Sequence, residues 1–328
     1  MSEHECLVVR IPEIEPIPGA DKIGLVRFGG NQVVVRREDW HVGDLAAYVE
    51  VDYIVPTDRP EFAFLADGRQ GAQEARIRPR RLRGTWSMGL LVPAPTGHPE
   101  GSNALSALGV RKWEPQEDVR EGIRTHQVPQ DPTVPGWLKG LAKYDVENLR
   151  KYHNLLSGVV SVTEKIHGSN ARYCFSSESG RLHVGSRSRW VLPDEACLWT
   201  SVLSERPWIA DWCRENPDHV LFGEVFGHQD LKYGRSKPDF LTFDVRTPEG
   251  FWGPERLEDE LQDFRRVPSL YMGRFDLEII LGMAEGKSVV CPDHVREGCV
   301  VQPVIPGFDP RIGRLILKAV GNGYLERA

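Results

Sequence analysis

The segment Val159-Val160-Ser161-Val162-Thr163-Glu164-Lys165-Ile166-His167-Gly168-Ser169-Asn170 constrains the fold more than any other. Val159 to Val162 read as a strand, because β-branched side chains pack well on a pleated surface. The strand delivers a lysine, Lys165, into a fixed backbone frame. Gly168 lets the chain approach a ligand closely or turn sharply. Ser169 and Asn170 add short polar groups suited to phosphate or hydroxyl contacts. A lysine near a glycine is common on protein surfaces, so the weight lies on the whole frame.

Short strands dominate elsewhere too. Val8, Ile11, Ile23, Leu25, Val26 and Phe28 precede a turn at Gly29-Gly30-Asn31, and Val33-Val34-Val35 and Leu45 to Val51 follow. Strands of this length between glycine turns predict a small β-barrel. A domain is expected at residues 1–110, a proline-containing acidic linker at 111–140, and a second domain at 141–328. Within the second, Val146, Leu149, Tyr152 and Leu156 predict a short helix. Two longer helical insertions are expected. One runs from about Glu195 to Arg214, broken near Pro207; the other opens after Gly253-Pro254 with Leu257, Leu261 and Phe264 on one face.

Composition narrows the class. The net charge is −6, with 40% hydrophobic and 27% charged residues, which is ordinary for a globular protein. No apolar run approaches 18 residues and no signal-like segment opens the chain, so a soluble, cytoplasmic protein is expected. The six cysteines form no C-x-x-C pair, which argues against a structural zinc or a disulfide framework. The charge is uneven: Arg69, Arg76, Arg78, Arg80, Arg81 and Arg83 crowd a stretch with Glu74 as its one acid. Such clustering suits a phosphate backbone even on an acidic protein. Gly282-Met-Ala-Glu-Gly286-Lys287-Ser288 imitates a phosphate loop but is one residue short.

The frame around Lys165 resembles the first motif of the covalent nucleotidyltransferases, Lys-x-x-Gly, in its RNA-ligase form Glu-Lys-x-His-Gly-Ser/Thr-Asn. Further elements follow in order. Gly185-Ser186-Arg187 resembles the next; Leu221 to Gly227, containing Glu224, the third; and Phe240 to Val245 the strand whose aromatic residue stacks on adenine. Glu297 to Val301 and Leu315 to Lys318 resemble the fourth and fifth. The N-terminal part, with Ile17-Pro-Gly-Ala-Asp-Lys-Ile23, resembles the OB module of tRNA-binding proteins, and the whole chain the Deinococcus-type branch of RNA ligases. The fifth motif departs from the family's Lys-x-Lys, since Ile316 takes the first lysine's place. With ten residues after Lys318, an accessory module is expected before Lys165.

The resemblance implies an α+β chain. An N-terminal OB-like β-barrel would precede a nucleotidyltransferase (ATP-grasp-like ligase) domain of antiparallel sheets with flanking helices. It implies ATP-dependent sealing of RNA 3′-OH and 5′-phosphate ends through lysyl-AMP, with Mg²⁺ or Mn²⁺. Lys165 would be the nucleophile, assisted by Lys318, Arg187 and Glu297, with Glu297 also organising the metal. Glu164, Ile166, His167, Gly168, Asn170, Arg187, Glu224, Phe243 and Lys318 would bind the nucleotide, Phe243 by stacking on adenine and Glu224 through a ribose hydroxyl. His167 is open between a phosphate contact and a satisfied turn residue. A free lysine holds its proton at pH 7 by about 4.6 kcal/mol, so Lys318, Arg187 or a metal would have to lower that. The partner would be RNA, as a nicked duplex, a structured RNA or an RNA/DNA hybrid. A DNA ligase, a capping guanylyltransferase and an inactive RNA-binding protein are the competing readings.

Overall fold

The computed structural model describes residues 5–66, 73–113, 128–193, 197–261 and 265–327. Arg69, the linker acids Glu114 to Glu121, Glu195 and Phe264 lie outside these. The chain divides into two compact units, Met1–Pro115 and Gln116–Ala328.

In the first unit Leu45–Val49 pairs antiparallel with Val8–Arg10 on one side and Leu90–Pro93 on the other. Its side chains alternate between two cores, as a strand's must. Ala46 and Tyr48 pack with Ile11, Val26, Val33, Val35 and Leu91. Ala47 and Val49 pack with Val8, Tyr53, Val55 and Phe62. The expected glycine turn joins Ala20–Phe28 to Asn31–Arg36, with Gly29 at φ +52°. Arg76 is committed locally, bonded to Asp52 at 2.6 Å and stacked over Trp113. Arg80 and Arg81 lie on an exposed hairpin strand, Arg80–Leu82, paired with Thr85–Ser87.

The second unit is built on two sheets. One has six antiparallel strands in the order Trp190–Val191, Arg181–Ser186, Gly168–Ser176, Val220–Phe226, Asp239–Thr247, Gly250–Phe251. The other runs Glu147–Asn148, Leu317–Val320, Gly298–Pro303, Val159–Lys165, Ser269–Arg274. It is antiparallel except where Glu147–Asn148 lies parallel to Leu317–Val320.

Each sheet covers one face with helices and turns the other toward the chemistry. Helices Leu198–Glu205 and Trp208–Glu215 bury Ala171, Tyr173, Leu221 and Val225 of the first sheet, and Pro207 separates them as expected. The short Leu149–Tyr152 helix and the Leu277–Met283 helix bury Val160, Val162, Cys299, Val301, Leu317 and Ala319 of the second. By alternation, Asn170 and Glu224 look inward from one sheet, and Lys165, Val300 and Lys318 from the other.

Residues 128–140, the latter part of the 111–140 stretch read from the sequence as linker, pack on the six-stranded sheet. Val134 and Leu138 join Cys174, Trp190, Val220 and Phe222 in one core, and Trp190 donates its indole N–H to the Leu138 carbonyl. Prolines suggested a spacer, but the apolar residues between them found a face to bury.

Candidate active site

Lys165 ends its strand 2.6 Å from Glu297 Oε1. Glu297 is placed by Gly298, which pairs with Lys165 across the ladder. A Cβ on Gly298 would lie 2.0 Å from the Ala319 carbonyl oxygen, so only glycine lets three strands close here. Gly168 acts the same way toward the other sheet. A Cβ there would lie 2.2 Å from the Val225 carbonyl and 2.9 Å from Glu224 Cγ. Its role is close strand packing, and that packing brings Glu224 up to the lysine frame.

The electrostatics depart from the expectation. Burial pulls the Lys165 amine down, but the charges of Glu297 and Glu224, with the Glu297 hydrogen bond, outweigh it and hold the lysine above its ordinary value. Arg187 gives no help, being paired with Asp145 at 2.9 Å. Burial pushes Glu224 up to about 8, Lys165 and Arg187 oppose this, and Glu297 reinforces it. Lys165 thus faces two carboxylates, and the amine must be released from Glu297 before it can attack anything.

Two buried oxygens at the site have no hydrogen-bond partner among the described residues: Glu297 Oε2 and Asn170 Oδ1. Asn170 lies opposite Glu224 in the ladder and its carbonyl accepts from Trp199 Nε1 at 2.9 Å. Buried polar atoms ordinarily find partners, so these two mark where a ligand or its water belongs. Such hard oxygen donors suit Mg²⁺ or Mn²⁺, which are commonly held by one or two carboxylates with waters and substrate phosphates.

Phe243 sits at a bulge. Phe222 pairs with Asp244 and Gly223 with Thr242, so Phe243 has no partner in the ladder. The bulge turns two consecutive residues to the same side. Phe243 packs against Tyr144, rings 4.9 Å apart. Asp244 accepts from Tyr144 Oη at 2.7 Å and binds Arg314, which also reaches Gln302 at 3.0 Å. Arg314 thereby ties the inner faces of the two sheets together.

The other expected residues divide. Lys318 lies on the inward face, in register with Val300. Ile316 is buried, so the family's missing lysine is replaced by a core side chain. Ile166 is buried with Phe226, Leu231, Tyr233 and Leu241. Glu164 points the other way from Lys165. Its buried carboxylate, raised by desolvation, accepts from the Val289 N–H at 2.7 Å, so its side chain braces a loop and does not reach the site.

Both ring nitrogens of His167 are bonded, Nε2 to Asp230 at 2.7 Å and Nδ1 to Tyr324 at 3.0 Å. Its backbone N–H donates to Tyr233 Oη at 2.9 Å. Sequence reasoning missed Tyr144, Asp145, Asp230, Tyr233 and Tyr324. The polar run after Gly227 was the one available signal, for Asp230 and Tyr233.

Comparison with known proteins agrees with this architecture. An RNA ligase family model matches residues 158–320, and an OB-fold domain model residues 6–94. Comparison with curated protein sequences gave no match. Among solved structures, a Naegleria gruberi RNA ligase with PPi superposes at a TM-score of 0.78 and 23% identity, over 99% of each chain. A lysine-to-alanine variant of that ligase with ATP and Mn gives 0.79 and 23%, over 98% of each chain. A lysine-to-methionine variant with AMP and Mn gives 0.79 and 22%, again over 98% of each. The fold is that of an OB module followed by a nucleotidyltransferase-type ligase domain. Residues 158–320 of the chain belong to the RNA ligase family.

Proposed function

We propose that this chain seals RNA 3′-OH and 5′-phosphate ends with ATP, using Lys165 as the covalent carrier of AMP. The observation that carries the proposal is Lys165 at the end of a buried strand, 2.6 Å from Glu297, with Glu224 on the facing sheet. A lysine held between two carboxylates at a two-sheet seam has no stabilising task that an apolar residue could not do as well. It has a clear chemical one.

Lys165 first gives up its proton to solvent; the Nζ lone pair then attacks the α-phosphorus of ATP, the bond to pyrophosphate breaks, and lysyl-AMP forms. AMP then passes to an RNA 5′-phosphate, freeing the lysine. A 3′-hydroxyl attacks the activated end and AMP leaves. Glu297 Oε2 and Asn170 Oδ1 would hold a divalent cation or its waters. Such an ion would neutralise charge on the phosphoryl oxygens, and Glu297 would then be shared between it and Lys165. Glu224 would meet a ribose hydroxyl, Phe243 the adenine face, Lys318 and Arg187 the phosphates. The ATP, AMP, pyrophosphate and manganese of the related Naegleria gruberi structures support this reading.

The N-terminal module, residues 1–110 in this reading, would engage RNA through the exposed arginine hairpin. The substrate would be a nicked duplex or a structured RNA, with DNA accepted on one side of the nick as a narrower case. The described residues contain no helix long and apolar enough to cross a membrane, and Cys174, Cys197, Cys213, Cys291 and Cys299 are free thiols, which suits a reducing compartment such as the cytoplasm.

The test is sealing of matched RNA, DNA and hybrid nicks with ATP or GTP. Sealing of RNA ends with ATP supports the proposal. Sealing of DNA alone, or adduct formation with GTP alone, would replace it with a DNA-ligase or capping reading.

A further inference from the structure

The arginine hairpin carries an aromatic side chain that neither core of its unit takes up. Trp86, on the strand Thr85–Ser87, lies directly opposite Arg81 of the strand Arg80–Leu82, and directly opposed residues of an antiparallel pair share a face. Ser87 is buried, its hydroxyl accepting from the Val34 N–H at 3.0 Å and donating to the Gly89 carbonyl at 3.1 Å. Side chains alternate along a strand, so Trp86 turns away from Ser87 to the outer surface, with Arg81. It is half-buried and belongs to neither core, and its indole N–H has no hydrogen-bond partner among the described residues. Tryptophan carries one of the largest apolar surfaces of any side chain, and leaving much of it in water forgoes the stabilisation that burial would bring.

The strand that bears the ring is held in place, and cations surround it. Gln32 Nε2 donates to the Trp86 carbonyl at 2.8 Å, and the Met88 N–H donates to the Gln32 carbonyl at 2.9 Å. Both bonds fix the strand to Asn31–Arg36. Gln32 Oε1 also accepts from Arg27 Nη1 at 2.8 Å, which brings a further guanidinium to this surface, shared with Glu15 at 3.2 Å. Arg27, Arg80, Arg81 and Arg83 are all exposed. A partly exposed π face among guanidinium groups suits a nucleobase stacked on the ring with its phosphates on the arginines. Bases inside a duplex are stacked on one another, so the ring is open to an unpaired nucleotide alone.

We propose that Trp86 is a stacking platform for an unpaired RNA base, with the neighbouring arginines on the phosphates to either side. The proposal rests on the reading of the arginine hairpin as the RNA-contacting part of the N-terminal module. It adds what that surface selects, which is single-stranded nucleotides over paired ones. The two kinds of contact respond differently to salt: arginine–phosphate contacts release counterions, and a stacked ring releases none.

The test uses the full-length protein and a short single-stranded RNA with 2-aminopurine at each position in turn, whose fluorescence falls on stacking. A blunt RNA duplex of the same length is the comparison. Trp86→Leu should weaken single-strand binding about 5- to 150-fold, the worth of one stacked base, and remove the fluorescence quenching at saturation. Its salt dependence should keep the wild-type slope, and its duplex binding should hardly change. Trp86→Phe keeps a ring and should retain most of the affinity and the quenching. Equal single-strand affinity and quenching in Trp86→Leu and wild type would overturn the proposal. So would equal losses in Trp86→Leu and Trp86→Phe, or equal losses on single strand and duplex, since either marks a structural role. Neutralising Arg78, Arg80, Arg81 and Arg83 separates the proposal from the reading beneath it. A flattened salt slope there, with Trp86→Leu behaving as wild type, removes the stacking alone; an unchanged slope and affinity there removes both.

Discussion

Lys165 Nζ and Glu297 Oε1 stand 2.6 Å apart at the meeting of two neighbouring strands, and each sets the state of the other. In the free protein the pair holds the lysine protonated and therefore unreactive. Chemistry at Lys165 requires that the pair be broken on demand.

Glu297→Gln removes that restraint permanently. With the Glu297 charge gone, burial acts on Lys165 opposed by Glu224 alone among its two carboxylates, so its pKa falls. Each unit of fall is worth about 1.4 kcal/mol. Labelling of Lys165 by an amine-directed reagent at fixed pH should speed up at least severalfold, while AMP transfer should drop on the proposed role of Glu297 as the carboxylate of the metal. Equal rates of labelling in variant and wild type would show that the pair does not govern the amine.

Glu224 carries a pH dependence whose sign is fixed. Its folded-state value of about 8 lies above the ordinary 4.5, with burial the largest cause. Its contribution to stability is fully present below 4.5 and is lost as pH rises through about 8, because the unfolded chain ionises first. Glu224→Gln cannot ionise, so its melting temperature relative to wild type should improve between pH 5 and pH 8 and level off above that. A difference that stays constant with pH would contradict the assignment.

His183 is fully buried, with Nδ1 2.9 Å from Asp131 and Nε2 2.7 Å from Ser179. It bolts the segment after residue 128 to the six-stranded sheet. His183→Ala should cost about 3–5 kcal/mol, since it strands a buried carboxylate as well as leaving a cavity. Urea denaturation measures this, and a loss under about 1 kcal/mol, typical of exposed pairs, would mean that water replaces the ring.

The arginine hairpin should separate binding from stability. Neutralising Arg78, Arg80, Arg81 and Arg83 should weaken RNA binding and flatten its salt dependence, by up to about one unit of slope per lost phosphate contact. The melting temperature should hardly move, because Arg80, Arg81 and Arg83 are exposed. Lost stability with an unchanged salt slope would make these residues structural.

The ordered motifs made much of the site readable in the sequence. Lys165, Glu224, Glu297 and Lys318 each end or occupy a short apolar strand, and a lone charge in such a strand stands out. The bulge at Phe243 left no mark, since it depends on how Phe240 fills the space that Gly223 vacates: a Cβ there would lie 2.2 Å from the Phe240 ring. The direction of Glu164 was equally hidden, because a one-residue step along a strand reverses the face. Tyr144, Asp145 and Tyr324 reach the site from segments with no periodic pattern, and only tertiary packing brings them there. The raised lysine is the larger lesson. Residue types alone suggested cations around Lys165, whereas the register of the two sheets placed carboxylates there.

The most direct measurement is to incubate the protein with α-labelled ATP and Mn²⁺, digest it, and locate the AMP by mass spectrometry. The account predicts a single adduct on Lys165, stable to alkali and cleaved by acid as a phosphoramidate is, absent from Lys165→Ala, which should still seal a pre-adenylylated RNA strand. AMP on another residue, or full labelling of Lys165→Ala, would contradict it.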